Sequence, residues 1–389
     1  MIQIKVTLIG TLPPLKGNSY YCEKLATTLS KRIQLDFFSF KSLYPNFIYP
    51  GGTKEKNNDS YIKSNKNISI KRIITYFNPF SWIKTSFLVK TKIVHAQWWS
   101  LPLAPIYIII FSILKLRKKK IILTVHNVSF HESIIFDKFL TKMVFPFVDI
   151  FIAHSKENIK KLEKSFGIRR DKIIIVPMGV HSMYSDSIIS KKKAKRFLNL
   201  PINKKILLFF GNIREYKGID DLIKAFSVVN KKIKDSMLLI AGEPWIKWNK
   251  YQNLIKKYKL ENKIRIHLHY IPKSEVNFFF SASDLVVLPY KFFDAQSGIG
   301  NIALAFNKPI VVTNVGGLSE LVRDKRAIAK PNNYKNLSEV IMRILEDKKL
   351  IKSLSEDSKK LSRIYSWDRI AKKTIKIYEM LSNNPSKNP

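Results

Sequence analysis

Short apolar runs alternate along the chain with segments whose apolar residues recur every three to four positions. The runs predict strands, and the segments between them have the spacing of amphipathic helices. The predicted strands are 2–9, 33–38, 68–75, 93–97, 121–126, 150–154 and 173–177 in the first half, and 206–210, 237–241, 264–269, 285–288 and 309–313 in the second. Regular alternation of strand and helix predicts parallel α/β layers.

Chain length and one polar stretch predict two domains. At 389 residues the chain exceeds what a single hydrophobic core normally supports. Residues 176–190, VPMGVHSMYSDSIIS, lie between the two strand arrays and have the composition of a linker. We therefore expect domains over 1–185 and 190–365. A long amphipathic pattern at about 366–383 predicts a final helix, which we expect to pack back on the first domain.

The net charge is +40, and it is spread over the whole chain. Residues 1–185 carry 29 Lys and Arg against 10 Asp and Glu, and the remainder carries 40 against 19. Such an excess attracts anionic partners, and an anionic membrane surface is the partner we expect. Nucleic acid is not expected, because no recognition module or aromatic-basic groove pattern is present. A genomic bias toward Lys, Ile and Asn is the alternative explanation.

The longest apolar stretch, LPLAPIYIIIFSIL (101–114), precedes the cationic run 115–120. It is shorter than the roughly 20 residues that span a bilayer, so a buried core helix is expected and a monotopic membrane contact is the alternative. No signal-peptide pattern opens the sequence, which favours a cytoplasmic location, peripheral at the inner face of the membrane. A single cysteine, Cys22, cannot form an internal disulfide framework.

The segment LLFFGNIREYKGIDD (207–221) combines a buried strand, a turn and a helix start. Gly211 breaks the strand, Arg214 and Lys217 follow, and Gly218 opens the helical pattern. Free N–H groups, the helix dipole and two cations together suit a phosphate group. The alternative is an ordinary strand-to-helix turn whose charges are solvated.

Several blocks in a fixed order resemble glycosyltransferase family 4. They are LTVHN (123–127), IAHSKEN (152–158), FFGNIREYKGIDDLIKAF (209–226), LLIAGEP (238–244), IRIHLHYIPKSEV (264–276), SDLVVLPY (283–290) and QSGIGNIALAFNKPIVVTNVGGLSELV (296–322). The resemblance implies the GT-B fold, with two Rossmann-like domains facing each other across a cleft. It also implies a retaining enzyme that uses a nucleotide-sugar donor, with front-face displacement and no resident metal.

The resemblance implies roles for residues of the second half. Arg214 and Lys217 match the pair that neutralises the donor diphosphate, where charge builds up in the transition state. Ser297 and Gly298 match the turn whose N–H groups meet the distal phosphate. Ile271 matches the nucleobase-binding loop.

Two residues of the first half match donor-contacting positions of the family. Gly17 matches the glycine of a loop that closes over the donor, where a side chain would block the approach. His126 matches a histidine that contacts the donor sugar, and a core histidine is the alternative interpretation.

One departure from the family concerns the donor ribose. Many members carry two glutamates eight positions apart, and the corresponding window here runs from Asp294 to Ile302. Asp294 can serve as the first acid, whereas Ile302 cannot accept a hydrogen bond. Glu320 is a candidate replacement, and a helix N-terminal glutamate that favours the dipole is the alternative. This departure leaves open a non-catalytic sugar-nucleotide-binding protein with a decayed site.

The acceptor is expected on the first domain, near a predicted strand end that carries His95, Gln97, Trp98 and Trp99. Aromatic rings suit sugar or lipid surfaces, and core filling is the alternative. The basic surface and the apolar stretches suggest a lipid-linked saccharide acceptor and a role in surface polysaccharide or glycolipid assembly. No Asp-x-Asp motif is present and the seven histidines lack metal-ligand spacing, so no metal or other cofactor is expected.

Overall fold

A computed structural model describes residues 4–15, 18–43, 62–128, 135–181, 184, 188–293 and 296–383, with the side chains of 135–137 excepted. The chain divides into two compact units. The first comprises Met1–Gly179 and Trp367–Pro389, and the second comprises Val180–Ser366.

The first domain is built on one parallel sheet. Its strands are β1 (Lys5–Gly10), β2 (Gln34–Ser42), β3 (Ile68–Thr75), β4 (Ile93–Trp98), β5 (Lys120–Val125), β6 (Ile150–Ala153) and β7 (Ile173–Ile175). They lie in the order β3-β2-β1-β4-β5-β6-β7. The apolar runs of β4, β5 and β6 are buried along nearly their whole length, as expected of parallel strands covered by helices on both faces.

Helices cover both faces of this sheet. They are α1 (Ser19–Leu29), α2 (Pro79–Leu88), α3 (Ala104–Leu116), α4 (Ile135–Val144) and α5 (Lys156–Phe166). The Ser155 side chain caps α5 by accepting from the Asn158 N–H at 3.1 Å. Helix α3 fills the core with Ile106, Ile110 and Phe111, each fully buried, so the core-helix expectation for this stretch is confirmed.

The second domain repeats the plan with a second parallel sheet. Its strands are β8 (Lys205–Phe210), β9 (Ser236–Ala241), β10 (Ile264–His267), β11 (Leu285–Leu288), β12 (Ile310–Thr313) and β13 (Ile328–Ala329). They lie in the order β10-β9-β8-β11-β12-β13. The helices are α6 (Lys191–Phe197), α7 (Ile219–Lys232), α8 (Asn249–Lys257), α9 (Val276–Ala282), α10 (Gly298–Ala305), α11 (Tyr334–Glu346) and α12 (Lys348–Ile364).

The last helix, α13 (Trp367–Asn383), belongs to the first domain. Its Ile370, Ile377 and Tyr378 share one core cluster with residues of α1 and β1.

In the described part of the chain, no helix is both long enough and apolar enough to cross a bilayer. Strand order reverses between β1 and β4 in the first sheet and between β8 and β11 in the second, which is where open α/β sheets bind ligands.

Candidate functional site

The turn after β8 is locked against the end of the neighbouring strand β11. Residues Glu215–Lys217 form a short 3-10 helix, and Gly218, at a φ of 67°, caps α7. A Cβ on Gly218 would stand 2.0 Å from the Pro289 carbonyl oxygen, so only glycine permits this approach. The Lys291 N–H donates to the Tyr216 carbonyl oxygen at 2.7 Å, which fixes the turn beside the chain that follows β11.

Lys217 is a buried cation at this turn. Its side chain is nearly enclosed, and its Nζ lies 5.8 Å from the centroid of the Tyr290 ring. Burial first, and then the neighbouring Arg214, lower the pKa of Lys217 to about 7. Within the described residues no carboxylate forms an ion pair with Lys217. An arriving anion would restore the charged form, because an opposite charge offsets the cost of burial.

Arg214 supplies a second positive charge to the same turn. Its guanidinium carbon lies 4.6 Å from the centroid of the Trp245 ring, a cation–π distance. The backbone N–H of Trp245 donates to the Ile213 carbonyl oxygen at 3.0 Å, and its indole N–H donates to the Glu243 carboxylate at 3.3 Å. The segment that follows β9 therefore supplies the ring against which the Arg214 guanidinium packs.

The start of α10 lies next to Lys217. The Ser297 side chain caps α10 by accepting from the Gly300 N–H at 3.3 Å, and the Tyr290 hydroxyl lies 3.3 Å from the Ser297 Oγ. A Cβ on Gly211 would meet Ile299 of α10 at 3.0 Å and the Lys217 Nζ at 3.3 Å. The switch point of the second sheet thus combines a helix N-terminus with two cations, which together suit a phosphate group.

Other predicted residues of this domain lie in several places. Gly298 is the first residue of α10, and a Cβ there would be 3.9 Å from the His181 ring. Ile271 and Ile302 are buried in one core cluster. Glu320 is half-buried in the 3-10 helix Gly316–Leu321, where its carbonyl oxygen accepts from the Tyr365 hydroxyl at 3.2 Å.

The helix-dipole alternative for Glu320 is wrong, because Glu320 is the fifth of the six residues of that 3-10 helix. Gly17 and Asp294 lie outside the described residues. Across the described ranges, no group of three His, Cys, Asp or Glu side chains is arranged to hold a metal ion.

In the first domain His126 belongs to a buried hydrogen-bonded network. It follows β5 and is 3% exposed. Its Nδ1 lies 3.0 Å from the Nε2 of His154, and its Nε2 lies 3.0 Å from the Gln97 side-chain oxygen. The Nδ1 of His154 lies 2.8 Å from the Val176 carbonyl oxygen. Burial is the largest cause that lowers the pKa of both histidines, that of His154 to about 4 and that of His126 well below its usual value.

The carbonyl partner determines the tautomers of the neutral rings. A carbonyl oxygen only accepts, so Nδ1 of His154 carries its proton and Nε2 accepts from Nδ1–H of His126. Nε2 of neutral His126 must then accept as well, which requires the amide nitrogen of Gln97, rather than its oxygen, on that side. Gln97 therefore orients His126.

The network continues from Gln97 to α13. His95 is fully buried, with Nε2 2.7 Å from the Thr124 hydroxyl and Nδ1 2.7 Å from the Tyr378 hydroxyl. Burial lowers the pKa of His95 to about 3. With the Gln97 oxygen turned toward His95, every ring nitrogen in the network has a complementary partner.

Two models of protein families match the chain, one in each domain. The model of Glycosyltransferase Family 4 matches residues 17–182, and that of Glycosyl transferases group 1 matches residues 190–361. The chain belongs to glycosyltransferase family 4.

A curated relative of the chain is also a glycosyltransferase. An uncharacterised glycosyltransferase of Methanocaldococcus jannaschii is 29% identical in an alignment 230 residues long, which covers 55% of this chain and 60% of that protein. The chain thus spans about three fifths of the length of that curated relative.

Two solved structures show the GT-B fold. The first is sucrose-phosphate synthase of Thermosynechococcus elongatus, at a TM-score of 0.73 and 17% identity over 97% of this chain and 99% of that one. The second is Anabaena HepE in complex with UDP-glucose, at a TM-score of 0.72 and 15% identity over 98% of this chain and all of that one.

The predicted acceptor residues of this family 4 chain are largely interior. Trp98 is fully buried, with its ring edge-to-face with Phe145 at 5.9 Å. Trp99 is 6% exposed and lies edge-to-face with Phe40 at 6.1 Å. This burial, like that of His95, favours core filling over a pocket wall.

Sequence reasoning missed several partners of the family 4 residues. Tyr290, His154 and Asn301 were given no role, although all three lie within blocks that carried the resemblance. Asn301, beside Ile302, is fully buried, and neither polar atom of its side chain has a partner among the described residues. A polar residue in an otherwise apolar helix was the available clue.

Proposed function

We propose that this chain is a retaining hexosyltransferase that transfers a sugar from a nucleotide-sugar donor to a saccharide acceptor. The observation that supports this most is the enclosed Lys217 beside Arg214 and the start of α10, at the switch point of the second sheet. A buried cation of lowered pKa suits a ligand that brings its own negative charge. A nucleoside diphosphate is such a ligand, and Anabaena HepE binds UDP-glucose.

The reaction follows from where charge develops. The bond between the anomeric carbon and the phosphate oxygen breaks, and its electron pair stays on the diphosphate. The acceptor hydroxyl attacks from the same face, and its proton passes to the departing phosphate oxygen. Arg214, Lys217 and the N–H groups of α10 stabilise the diphosphate more as its charge grows, so transfer proceeds without a metal ion. On this proposal neutral His126 has the role that the family resemblance gives it, contact with the donor sugar.

The acceptor is a lipid-linked saccharide bound by the first domain. The support is the net charge of +40 together with exposed apolar side chains on that domain. On this proposal the enzyme works at the inner face of the cell membrane, attached to its anionic lipids, in the assembly of a surface polysaccharide or glycolipid.

A thermal-shift screen with UDP-, GDP- and ADP-sugars tests the donor, because a ligand that binds only the folded state raises the unfolding temperature. We expect a sugar-dependent rise with one nucleotide series, and UDP-glucose is the first compound to test. Transfer or slow donor hydrolysis should follow with the same compound. Binding with neither reaction would favour the non-catalytic alternative, and the absence of any shift would contradict the proposal.

A further inference from the structure

The outer face of α2 is apolar. Phe80, Ile83 and Phe87 are 80%, 38% and 57% exposed, and they fall at the three- and four-residue spacing of one helix face. Phe77, in the turn before the helix, is 71% exposed. The opposite face, which includes Trp82, is buried. A surface helix normally turns its polar side outward, and a contiguous exposed apolar patch marks an interaction site.

Basic residues border this apolar face at its C-terminal end. The Arg117 guanidinium lies 5.7 Å from the Phe87 ring centroid and donates to the Ser86 carbonyl oxygen. The Lys119 Nζ donates to the Lys90 carbonyl oxygen at 3.1 Å. The C-terminal end of α3 is therefore joined to that of α2, and the exposed Leu116 and Lys118 belong to the same surface.

These cations lie on two stretches of the chain that are free of acidic residues. Residues 76–92 and 115–120 contain no Asp or Glu. Asp149, the acid that pairs with this region, is bound by Lys115 at 2.6 Å and lies 4.0 Å from Lys120. In the described ranges no ion pair involves Lys84, Lys90, Lys92, Lys118 or Lys119. Burial and the charges of Arg117, Lys90 and Lys92 lower the pKa of Lys119, which shows how closely these cations lie.

We propose that the outer face of α2 inserts into the headgroup–acyl boundary of an anionic bilayer leaflet. Phe77, Phe80, Ile83 and Phe87 then lie among the first acyl carbons, and the basic rim lies at the lipid phosphates. A membrane explains the surface better than a protein does, because lysine is depleted at protein interfaces. This inference deepens the membrane attachment in the proposed function. It moves the apolar contact from 101–114, which is mostly buried, to α2.

Cosedimentation with vesicles tests the contact. We expect the protein to bind phosphatidylcholine vesicles that contain about one-third phosphatidylglycerol, with about fivefold lower affinity for each basic residue lost from the rim of the α2 face. Phe80→Ser with Phe87→Ser should weaken binding at least tenfold, even at a salt concentration that screens the charges. Lys90→Glu with Lys118→Glu should weaken binding mainly at low salt.

Matched controls come from the second domain. Ile188 and Ile202 are 58% and 46% exposed there, and Lys348 and Lys349 are exposed. Changing the two isoleucines to Ser, or the two lysines to Glu, should leave vesicle binding within about twofold of the wild type, since substitutions at independent sites do not couple. All variants should keep the wild-type unfolding temperature and the same thermal shift with a nucleotide-sugar. A failure of the membrane contact can therefore be distinguished from a failure of the donor proposal.

A fluorescent probe separates insertion from attraction. Cys22 is 2% exposed, so an introduced surface cysteine reacts selectively with an environment-sensitive label. The label on Phe80→Cys should shift to the blue on anionic vesicles, and the label on Ile202→Cys should not. Binding without that shift would overturn insertion. Absence of vesicle binding at low salt, or a dimer that Phe80→Ser and Phe87→Ser dissociate, would overturn the membrane as the partner.

Discussion

Among the described residues, the second domain has two cations without a carboxylate partner at its switch point, whereas the buried histidines beside the switch point of the first domain are hydrogen-bonded. Around β8 and β11, Lys217 and Arg214 form no ion pair with a carboxylate among the described residues, and the N-terminus of α10 lies beside Lys217. Around β4 and β5, His95 and His126 each use both ring nitrogens in hydrogen bonds. Because unpaired buried charge is costly, the second site is suited to receive an anion. The hydrogen-bonded network of the first domain instead holds neutral histidine rings in one orientation.

The strongest test of this comparison removes the charges of the second domain. Lys217→Ala and Arg214→Ala should each reduce sugar transfer on the order of 10²-fold or more, because each deletes a partner of the charge that develops on the diphosphate. Steady-state rates with a saturating donor measure the loss. Lys224→Ala, on the helix α7 that follows this turn, is the control. Near-normal turnover in either site variant would rule out the diphosphate assignment.

The next test concerns the close approach at Gly218. Gly218→Ala should lower stability by roughly 2 kcal/mol more than Gly167→Ala, because overpacking adds to backbone strain. Both glycines have a φ of 67°, but a Cβ at Gly167 would meet nothing within 4 Å, whereas one at Gly218 would strike the Pro289 carbonyl oxygen. Thermal unfolding of the two variants measures the difference, and equal losses would mean that strain alone acts at Gly218.

The pH dependence of stability tests whether the Lys217 amine is buried. The pKa of Lys217 falls from 10.5 to about 7 on folding, so between these values the unfolded chain holds a proton that the folded chain has released. Stability contributed by this group therefore rises with pH across the window, by up to about 1.4 kcal/mol per pH unit. Lys217→Met should lack that increment.

The measurement is the difference in unfolding temperature between wild type and Lys217→Met at about pH 7.5 and about pH 9.5. Lys308, whose pKa burial lowers to about 8, is present in both proteins and cancels. A parallel pH dependence of the two proteins would mean that Lys217 is not buried as a neutral amine. Nucleotide affinity should fall as pH rises through about 7, because Lys217 loses its charge.

A smaller effect is expected in the first domain. Gln97→Glu offers His126 only acceptor oxygens, so the pKa of His126 should rise and transfer should fall by about tenfold. Gln97→Met removes the orienting donor without adding charge and should reduce transfer less. The imidazole signals of His126 in an NMR titration, followed with the pH–rate profile, measure both effects. Unchanged signals in both variants would show that Gln97 does not orient His126.

Local sequence predicts the second domain's site better than the first's. The turn from Gly211 to Gly218 is contiguous, so its charges and glycines are visible in one short string. The network of the first domain joins residues far apart in the chain, such as His95 and Tyr378 at a separation of 283. No periodicity indicates such a contact, because it depends on the sheet order and on the return of α13.

The same physics explains what was predicted of the fold. Every predicted strand coincides with an observed one, since buried parallel strands are continuous apolar runs. Strand β13 was missed because two residues, Ile328 and Ala329, form no recognisable run. Helix α2 is apolar around much of its circumference, so the pattern does not show which face is exposed.

The smallest expected effect is that of metal removal. If Lys217, Arg214 and the N-terminus of α10 neutralise the diphosphate, a divalent ion adds little, and transfer in excess chelator should match the untreated rate. Initial rates with and without chelator, and after addition of magnesium or manganese, measure this. Lys217→Ala provides a further comparison. If magnesium raises the rate of this variant but not that of the wild type, the Lys217 ammonium supplies the positive charge that a metal ion would otherwise supply. Complete loss of wild-type activity in chelator, restored by either ion, would contradict the proposal that the second domain supplies its own cations.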